Sequence, residues 1–214
     1  QNDNFVVFNK PNGLLTHPNS KSNEKTLRDY LIEIKPQIKE WGVENREGIV
    51  HRLDKVTSGL IVCALNEETF NVLKKQFQDR KVGKKYLAVI EGHLKSETGK
   101  IELPLKRSVS NRSKRAVSKK GRLSISEYEI IKTTNKHSLV LITLITGRNH
   151  QVRVQMEYLN SPVVNDTLYS AKRNNLINSF EICLHSHMLN FTLFEKNFSF
   201  KSSPPEFFNK VLEV

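Results

Sequence analysis

The sequence predicts a mixed α/β protein built on a largely antiparallel sheet. Three observations predict it. Short β-rich segments dominate the chain. Helical segments are interspersed among them, with few clean strand–helix–strand units. Two β-rich runs, 124–133 and 138–146, are joined by the turn Thr134-Asn135-Lys136, a hairpin spacing that makes neighbours antiparallel.

NFVVFNK (4–10) reads as a strand, closed by the turn Pro11-Asn12-Gly13. Residues 24–41 have helical spacing, with Leu27, Leu31 and Ile34 on one face; Pro36 should end or kink that helix. Residues 59–65 form a short, wholly apolar strand. Asn66 is an N-cap candidate for the next helix, which aligns Phe70, Leu73 and Phe77. KKYLAVIEG (84–92) is a strand ending at Gly92. After the hairpin, residues 149–160 read as helix, 181–194 and 197–202 as strands, and Pro204-Pro205 introduces a short C-terminal helix. No internal repeat or linker is visible.

Composition narrows the function classes. The 214 residues suffice for one domain or two small ones. With 37% hydrophobic and 26% charged residues the chain is of the soluble globular kind rather than disordered. Lys and Arg number 34 against 22 Asp and Glu, a net charge of +12 that favours a polyanionic partner, nucleic acid before an anionic membrane surface. No 18-residue apolar stretch and no signal-peptide core is present, so neither a membrane span nor secretion is expected. Cys63 and Cys183 sit singly in apolar runs, the pattern of buried free thiols in a reducing compartment, and a cytoplasmic location is expected.

One segment stands apart. LKRSVSNRSKRAVSKKGRL (105–123) carries Lys106, Arg107, Arg112, Lys114, Arg115, Lys119, Lys120 and Arg122 with no acid. A solvated flexible loop has this composition, and so does an arm that tracks phosphates; cations this dense favour the arm.

The chemical candidates begin with HRLDKVTSG (51–59). Asp54 has Arg52 two positions away and Thr57 three away, an arrangement suited to keeping a carboxylate ionised. Such a group can attack a sugar carbon or stabilise positive charge there, although most Asp–Arg neighbours are structural. In TGRNHQVRVQ, Arg148, His150 and Arg153 follow; on a helix from 149, His150, Arg153 and Glu157 share one face, and Val152, Met156 and Leu159 form the face that docks on the sheet. Arg153 can pair with a buried carboxylate or bind phosphate, or it can form a surface pair with Glu157. Tyr86 shares a strand face with Ala88 and Ile90, where it is core, a hydroxyl source or a stacking platform. His185 and His187 raise the thought of a metal, but no placed third ligand accompanies them, and no metal site is expected.

Several of these stretches together resemble the RluA-type pseudouridine synthases. NKPNGLLTHP (9–18) is similar to the family's KPxGllvhP, HRLDKVTSGLIVCA (51–64) to HRLDxxTSGLLllA, and KKYLAVIEG to KxYlAlveG. TGRNHQVRVQMEYLNSPVVNDTLY (146–169) is similar to TGRxHQIRxHlxxlGxPixGDxxY, and LHSHMLNF (184–191) to LHAxxLxF. The motifs keep the family's order across nearly the whole chain.

The resemblance implies a mixed, mainly antiparallel central sheet flanked by helices, with a cleft across it. It implies one catalytic domain over 1–214, without the accessory RNA-binding domain that precedes it in some relatives. It implies isomerisation of uridine to pseudouridine in RNA, with no cofactor and no metal. Asp54 then matches the catalytic aspartate, Tyr86 the active-site tyrosine, and Arg153 the arginine that pairs with the aspartate. Arg52 matches the arginine that fills the place of a flipped base, and Leu184 an apolar residue packed by that base. Arg148 and His150, in the motif of Arg153, are expected to bind substrate. Three family glycines are replaced, by Asn160, Asn165 and Ser170; Asn tolerates left-handed backbone angles, so the first two can keep their turns. The expected partner is structured RNA, ribosomal before transfer RNA, taken as a single-stranded loop or stem-loop by a monomer. The competing reading is a non-catalytic RNA-binding or ribosome-assembly protein on the same fold. A metal-dependent hydrolase built on the histidines is a third.

Overall fold

The computed structural model describes residues 2–18, 23–42, 44 and 46–213. The chain folds as two compact units, Gln1–Gly83 with Ser186–Ser202, and Lys84–His185 with Ser203–Val214.

In the first unit, β1 (Phe5–Lys10) pairs antiparallel with β2 (Ser58–Ala64). Helix α1 (Leu27–Ile34), the short α2 (Ile38–Trp41) and α3 (Glu67–Gln78) accompany them. The helical stretch expected over 24–41 is divided where Pro36 lies. Thr26 caps α1 through a reciprocal bond with Asp29, and Pro36 excludes the preceding Lys35 from helical angles. The cap expected at Asn66 forms: its side chain accepts the Thr69 N–H at 2.9 Å. Strand β2 is buried throughout, and β8 (Leu184–Leu193) lies beside it, with β9 (Lys196–Lys201) on β8. Phe5, Leu60, Val62, Phe70, Leu73, Leu189 and Phe191 form the core between these strands and α3. Gly59, the second residue of β2, stands at φ 109°, and a Cβ there would lie 2.4 Å from the Ser186 carbonyl oxygen. The Thr57-Ser58-Gly59 run therefore ends in glycine because the β8 backbone leaves no room for a side chain.

In the second unit the strand order is β3 (Gly83–Glu91), β7 (His137–Leu144), β6 (Arg122–Thr133), β4 (Thr98–Arg107), β5 (Arg115–Val117). Each neighbouring pair is antiparallel. Strand β4 forms although Pro104 interrupts its alternation and Pro argues against an interior strand position. Its carbonyl still serves the sheet, accepting the Ser118 N–H at 2.8 Å. The basic 105–123 segment is thus the end of β4, a turn, β5 and the entry to β6. Helix α4 (Gln151–Tyr158) and a 3-10 turn (Thr167–Tyr169) pack on this hairpin, and α5 (Phe207–Leu212) packs on β7. No helix among the described residues is long and apolar enough to cross a membrane.

Candidate active site

The HRLD stretch is held at each of its residues. The His51 ring lies on Phe77 of α3, 4.3 Å between centroids and 20° from parallel, and its Nε2 accepts the Val62 N–H at 3.0 Å. That acceptor role places the ring proton on Nδ1. Leu53 is buried, with its carbonyl accepting from Thr16 Oγ1 at 2.8 Å. Asp54 is half-buried and opens a turn in which its carbonyl accepts the Thr57 N–H at 3.1 Å.

The NKPNG turn grips the same loop. Asn12 Nδ2 donates to the Val56 carbonyl at 2.6 Å, 44 positions away, and the Gly13 N–H donates to the Lys55 carbonyl at 2.8 Å. Lys10 Nζ, fully buried, donates to the carbonyls of Pro11 (2.8 Å), Leu14 (2.9 Å) and Lys55 (3.4 Å). Two motifs far apart in sequence are one local structure, and it fixes the backbone that carries Asp54.

Arg52 does not pair with Asp54, contrary to what their spacing suggests. It is exposed, and its Nη1 lies 3.3 Å from His17 Nε2. An exposed guanidinium keeps its hydration, which a tight ion pair there would forfeit for little gain. Burial pushes the His17 imidazole below its ordinary value, and the charges of Arg52 and Arg46 add to this.

Burial also lowers the Lys10 ammonium from 10.5 to about 7, with the Asp54 charge acting in the opposite sense. The sign of the pH effect follows. Below about 7 folded and unfolded chains both carry the proton and the contribution is flat; from there to the ordinary lysine value only the unfolded chain binds it, so stability rises with pH. Urea unfolding at about pH 7 and about pH 9.5 should show this rise in the wild type and a flatter response in Lys10→Met, which has no amine to titrate.

The second unit presents the TGRNHQVR motif differently from expectation. His150 is not within the helix; it is the residue before α4, at φ 55°. Residues 151–156 are all buried, so α4 has no single apolar docking face, and Leu159, expected on that face, is half-exposed beyond the helix end. The helix meets β6 through polar groups. Gln151 Oε1 accepts from Thr146 Oγ1 (2.8 Å) and the Arg148 N–H (2.9 Å), while its Nε2 donates to the Ile125 carbonyl (3.0 Å) and Ser126 Oγ (2.8 Å). Ser126 Oγ in turn donates to Gln155 Oε1 at 2.7 Å. A satisfied buried network of this kind fixes one docking geometry where apolar packing would tolerate several.

Arg153 is buried, and its guanidinium makes a two-pronged pair with Asp166, Nε to Oδ2 at 2.6 Å and Nη2 to Oδ1 at 2.8 Å. The surface pair with Glu157 does not form; Glu157 instead accepts from Lys114 Nζ at 3.2 Å and Ser170 Oγ at 2.8 Å. Arg148 is half-buried, its Nε donating to the Leu123 carbonyl at 3.1 Å. Tyr86 of β3 is 8% exposed and Leu184 3%.

The profile of the RNA pseudouridylate synthase family matches residues 4–158. The chain belongs to this family. A relative in Borreliella burgdorferi, named ribosomal large subunit pseudouridine synthase D, is 37% identical over 201 residues, covering 92% of this chain and 61% of that protein. A Helicobacter pylori protein named an uncharacterized RNA pseudouridine synthase is 36% identical over 197 residues, 89% of this chain and 60% of its own. The chain thus spans about three fifths of the length of the curated relatives it matches. Among solved structures, human RNA pseudouridylate synthase domain containing 1 superposes with a TM-score of 0.78 at 24% identity, over 96% of this chain and 82% of that one. That likeness shows the fold, the mixed and mainly antiparallel architecture that the sequence predicts.

Two further residues of the synthase motifs take structural parts that their spacing alone does not reveal. Asp166 and Tyr169 lie in the stretch matching GDxxY, and both are buried, at 1% and 0% exposure. Their signal was present as motif residues, but their partners Arg153 and His150 are set by the return of the chain after α4. The replaced family glycines also become intelligible: Asn160, Asn165 and Ser170 all take positive φ, at 58°, 66° and 69°. Asn165 adds what glycine cannot, its Nδ2 donating to the carbonyls of Asn178 and Glu181. Asn160 closes α4 with a Schellman pattern, its N–H on the Glu157 carbonyl and the Ser161 N–H on that of Met156. Asn160→Gly should raise the unfolding free energy by about 0.5 kcal/mol, because relief of the left-handed backbone exceeds glycine's entropy cost; calorimetry on the two proteins checks it.

The thiols and histidines are otherwise engaged. Cys63 and Cys183 are free and buried, and burial pushes both thiols well above their ordinary value. His185 packs edge-on to Phe208, and His187 Nδ1 lies 2.6 Å from the Ser202 carbonyl oxygen. Among the described residues no group of three or more His, Cys, Asp or Glu is placed to hold a metal ion.

Proposed function

We propose that this protein is an RNA pseudouridine synthase that isomerises specific uridines in ribosomal RNA, with Asp54 as its catalytic carboxylate. It acts in the cytoplasm, as a monomer, without metal or cofactor. The observation that carries the reading is family membership over 4–158, a range that includes the whole HRLDKVTSG signature. The name of the Borreliella relative supports the large ribosomal subunit as substrate; transfer RNA is the second choice.

The chemistry suits a carboxylate and needs no redox partner. Isomerisation breaks the N1–C1′ bond of uridine, turns the base and joins C5 to C1′, and the C5 proton leaves to solvent. No atom is gained apart from that proton exchange, and no electron acceptor is required. An ionised Asp54 serves either route to bond breaking, by attacking C1′ or by taking the C2′ proton. The base must leave its stack first, at a cost of a few kcal/mol that a single-stranded loop keeps low. The exposed Arg52 suits the space vacated by the base. Tyr86 and Leu184 suit the base itself, by stacking and apolar contact, and Arg148, His150 and Arg153 suit the ribose–phosphate and the reacting centre.

The basic hairpin supports RNA as the partner: Arg107, Arg112, Lys119, Lys120 and Arg122 are all exposed. Removing three of them should weaken RNA binding and reduce the salt dependence by about 0.7 log–log units per lost phosphate contact. Binding isotherms across a salt series check it, and an unchanged slope would place the hairpin away from RNA. The function itself is tested by mapping pseudouridines across cellular RNA with and without the gene. Loss of one or a few ribosomal sites, restored only by a gene with intact Asp54, is the expected result. An unchanged map favours a non-catalytic RNA-binding protein instead.

A further inference from the structure

The basic hairpin and Arg153 meet at one buried side chain. Tyr169 ends the 3-10 turn Thr167–Tyr169 and is fully buried, its ring packed with Leu105 of β4 and Val154 of α4. Its hydroxyl oxygen accepts the Arg115 N–H of β5 at 2.8 Å and lies 2.7 Å from His150 Nδ1. The hydroxyl thus joins the Arg115 backbone to the His150 ring, with the His150 tautomer setting which of hydroxyl and ring donates. Two cations sit over the same ring, with Lys114 Nζ and Arg153 Cζ each 4.9 Å from its centroid. Each is tied to a carboxylate, Lys114 to Glu157 and Arg153 to Asp166. Arg115 adds a second strut, Nε to Asn149 Oδ1 at 3.0 Å, on the loop that leads into α4.

The hairpin is therefore more than an exposed comb of charge. Lys114 and Arg115 are half-buried, at the base of its tip, and their anchors lead to the residues around Arg153. His150 is held at φ 55°, a conformation that persists only where surroundings impose it, and the Tyr169 hydroxyl is one such constraint.

We propose that Tyr169 is a positioning residue that couples RNA docking on the 105–123 hairpin to the setting of Arg153. When phosphates engage the hairpin, β5 shifts against Tyr169, and the hydroxyl carries the displacement to His150 and the ring to Arg153. The proposal rests on the reading above in one respect, that Arg153 serves the reaction.

Two measurements test it, and one needs no turnover. The Arg153 side-chain Nε–H, locked on Asp166, gives an NMR signal that reports its setting. Adding an oligouridine should shift that signal in the wild type and leave it nearly still in Tyr169→Phe, which keeps the ring and loses only the hydroxyl. A shift of equal size in Tyr169→Phe means that RNA reaches Arg153 without the hub, and overturns the proposal; no shift in the wild type overturns it too. The second measurement is single-turnover pseudouridine formation on an unmodified transcript of large-subunit ribosomal RNA. Tyr169→Phe should lower the saturating rate about tenfold with half-saturation changed less than twofold. Arg112→Gln/Lys114→Gln should raise half-saturation and lower the saturating rate, with no further loss of rate when combined with Tyr169→Phe. Losses that multiply mean two independent effects and overturn the proposal. A wild type that makes no pseudouridine overturns the function above, and the NMR signal then decides the coupling by itself.

Discussion

Asp54→Asn is expected to abolish pseudouridine formation, by roughly four orders of magnitude or more, while leaving fold and RNA affinity nearly unchanged. The substitution keeps size and shape and removes only the charge that either route to N1–C1′ cleavage uses. The fold tolerates it because the loop is held through backbone groups: Asn12 on the Val56 carbonyl, Gly13 and Lys10 on that of Lys55, Thr57 on that of Asp54 itself. RNA affinity is retained because the cations that bind phosphate are elsewhere. Circular dichroism, filter binding and nucleoside analysis of the product separate the three quantities, and retained turnover would remove Asp54 from its role.

The second large effect is on stability. Arg153→Met leaves the Asp166 carboxylate, 1% exposed, without its guanidinium, and a buried pair broken on one side costs about 3–5 kcal/mol. Arg153→Met/Asp166→Leu should recover most of that loss, because removing both charges also removes their desolvation cost. The double variant is expected to be folded and inactive, which distinguishes the arginine's part in the reaction from its part in the fold. Urea denaturation of the three proteins gives the stabilities; a double variant no more stable than Arg153→Met would show that the two charges are not the main source of the loss.

Much of the fold was legible because its signals are local. Asn66 caps α3, Pro36 ends α1, and the wholly apolar 59–65 run is a fully buried strand, each a consequence of nearest neighbours. What escaped depends on chain segments far apart. Strand β4 was hidden by Pro104 and is stabilised by pairing with β6, and α4 docks through Gln151 and Gln155 onto Ser124 and Ser126, which no helical periodicity reveals. At the candidate site the motif pointed to Asp54 and Arg153 by residue type. It did not show that Arg52 turns to His17, that Lys10 lies buried beneath the Asp54 loop, or that Asp166 is a partner of Arg153. Those facts follow from which groups lose water when the loops close, and spacing along the chain carries no record of it.

Conversion of uridine to pseudouridine by this chain leaves a mark on the RNA that can be counted. Its most direct test uses purified protein and a transcript of large-subunit ribosomal RNA carrying tritium at C5 of its uridines. Replacing the C5–H bond by C5–C1′ must release that tritium to water, so release to a plateau of one or a few equivalents per transcript is expected. The same preparation of Asp54→Asn should release none. Wild-type protein that binds the transcript and releases no tritium, under conditions where the RNA is folded and in excess, would mean that the chain does not isomerise uridine in this RNA.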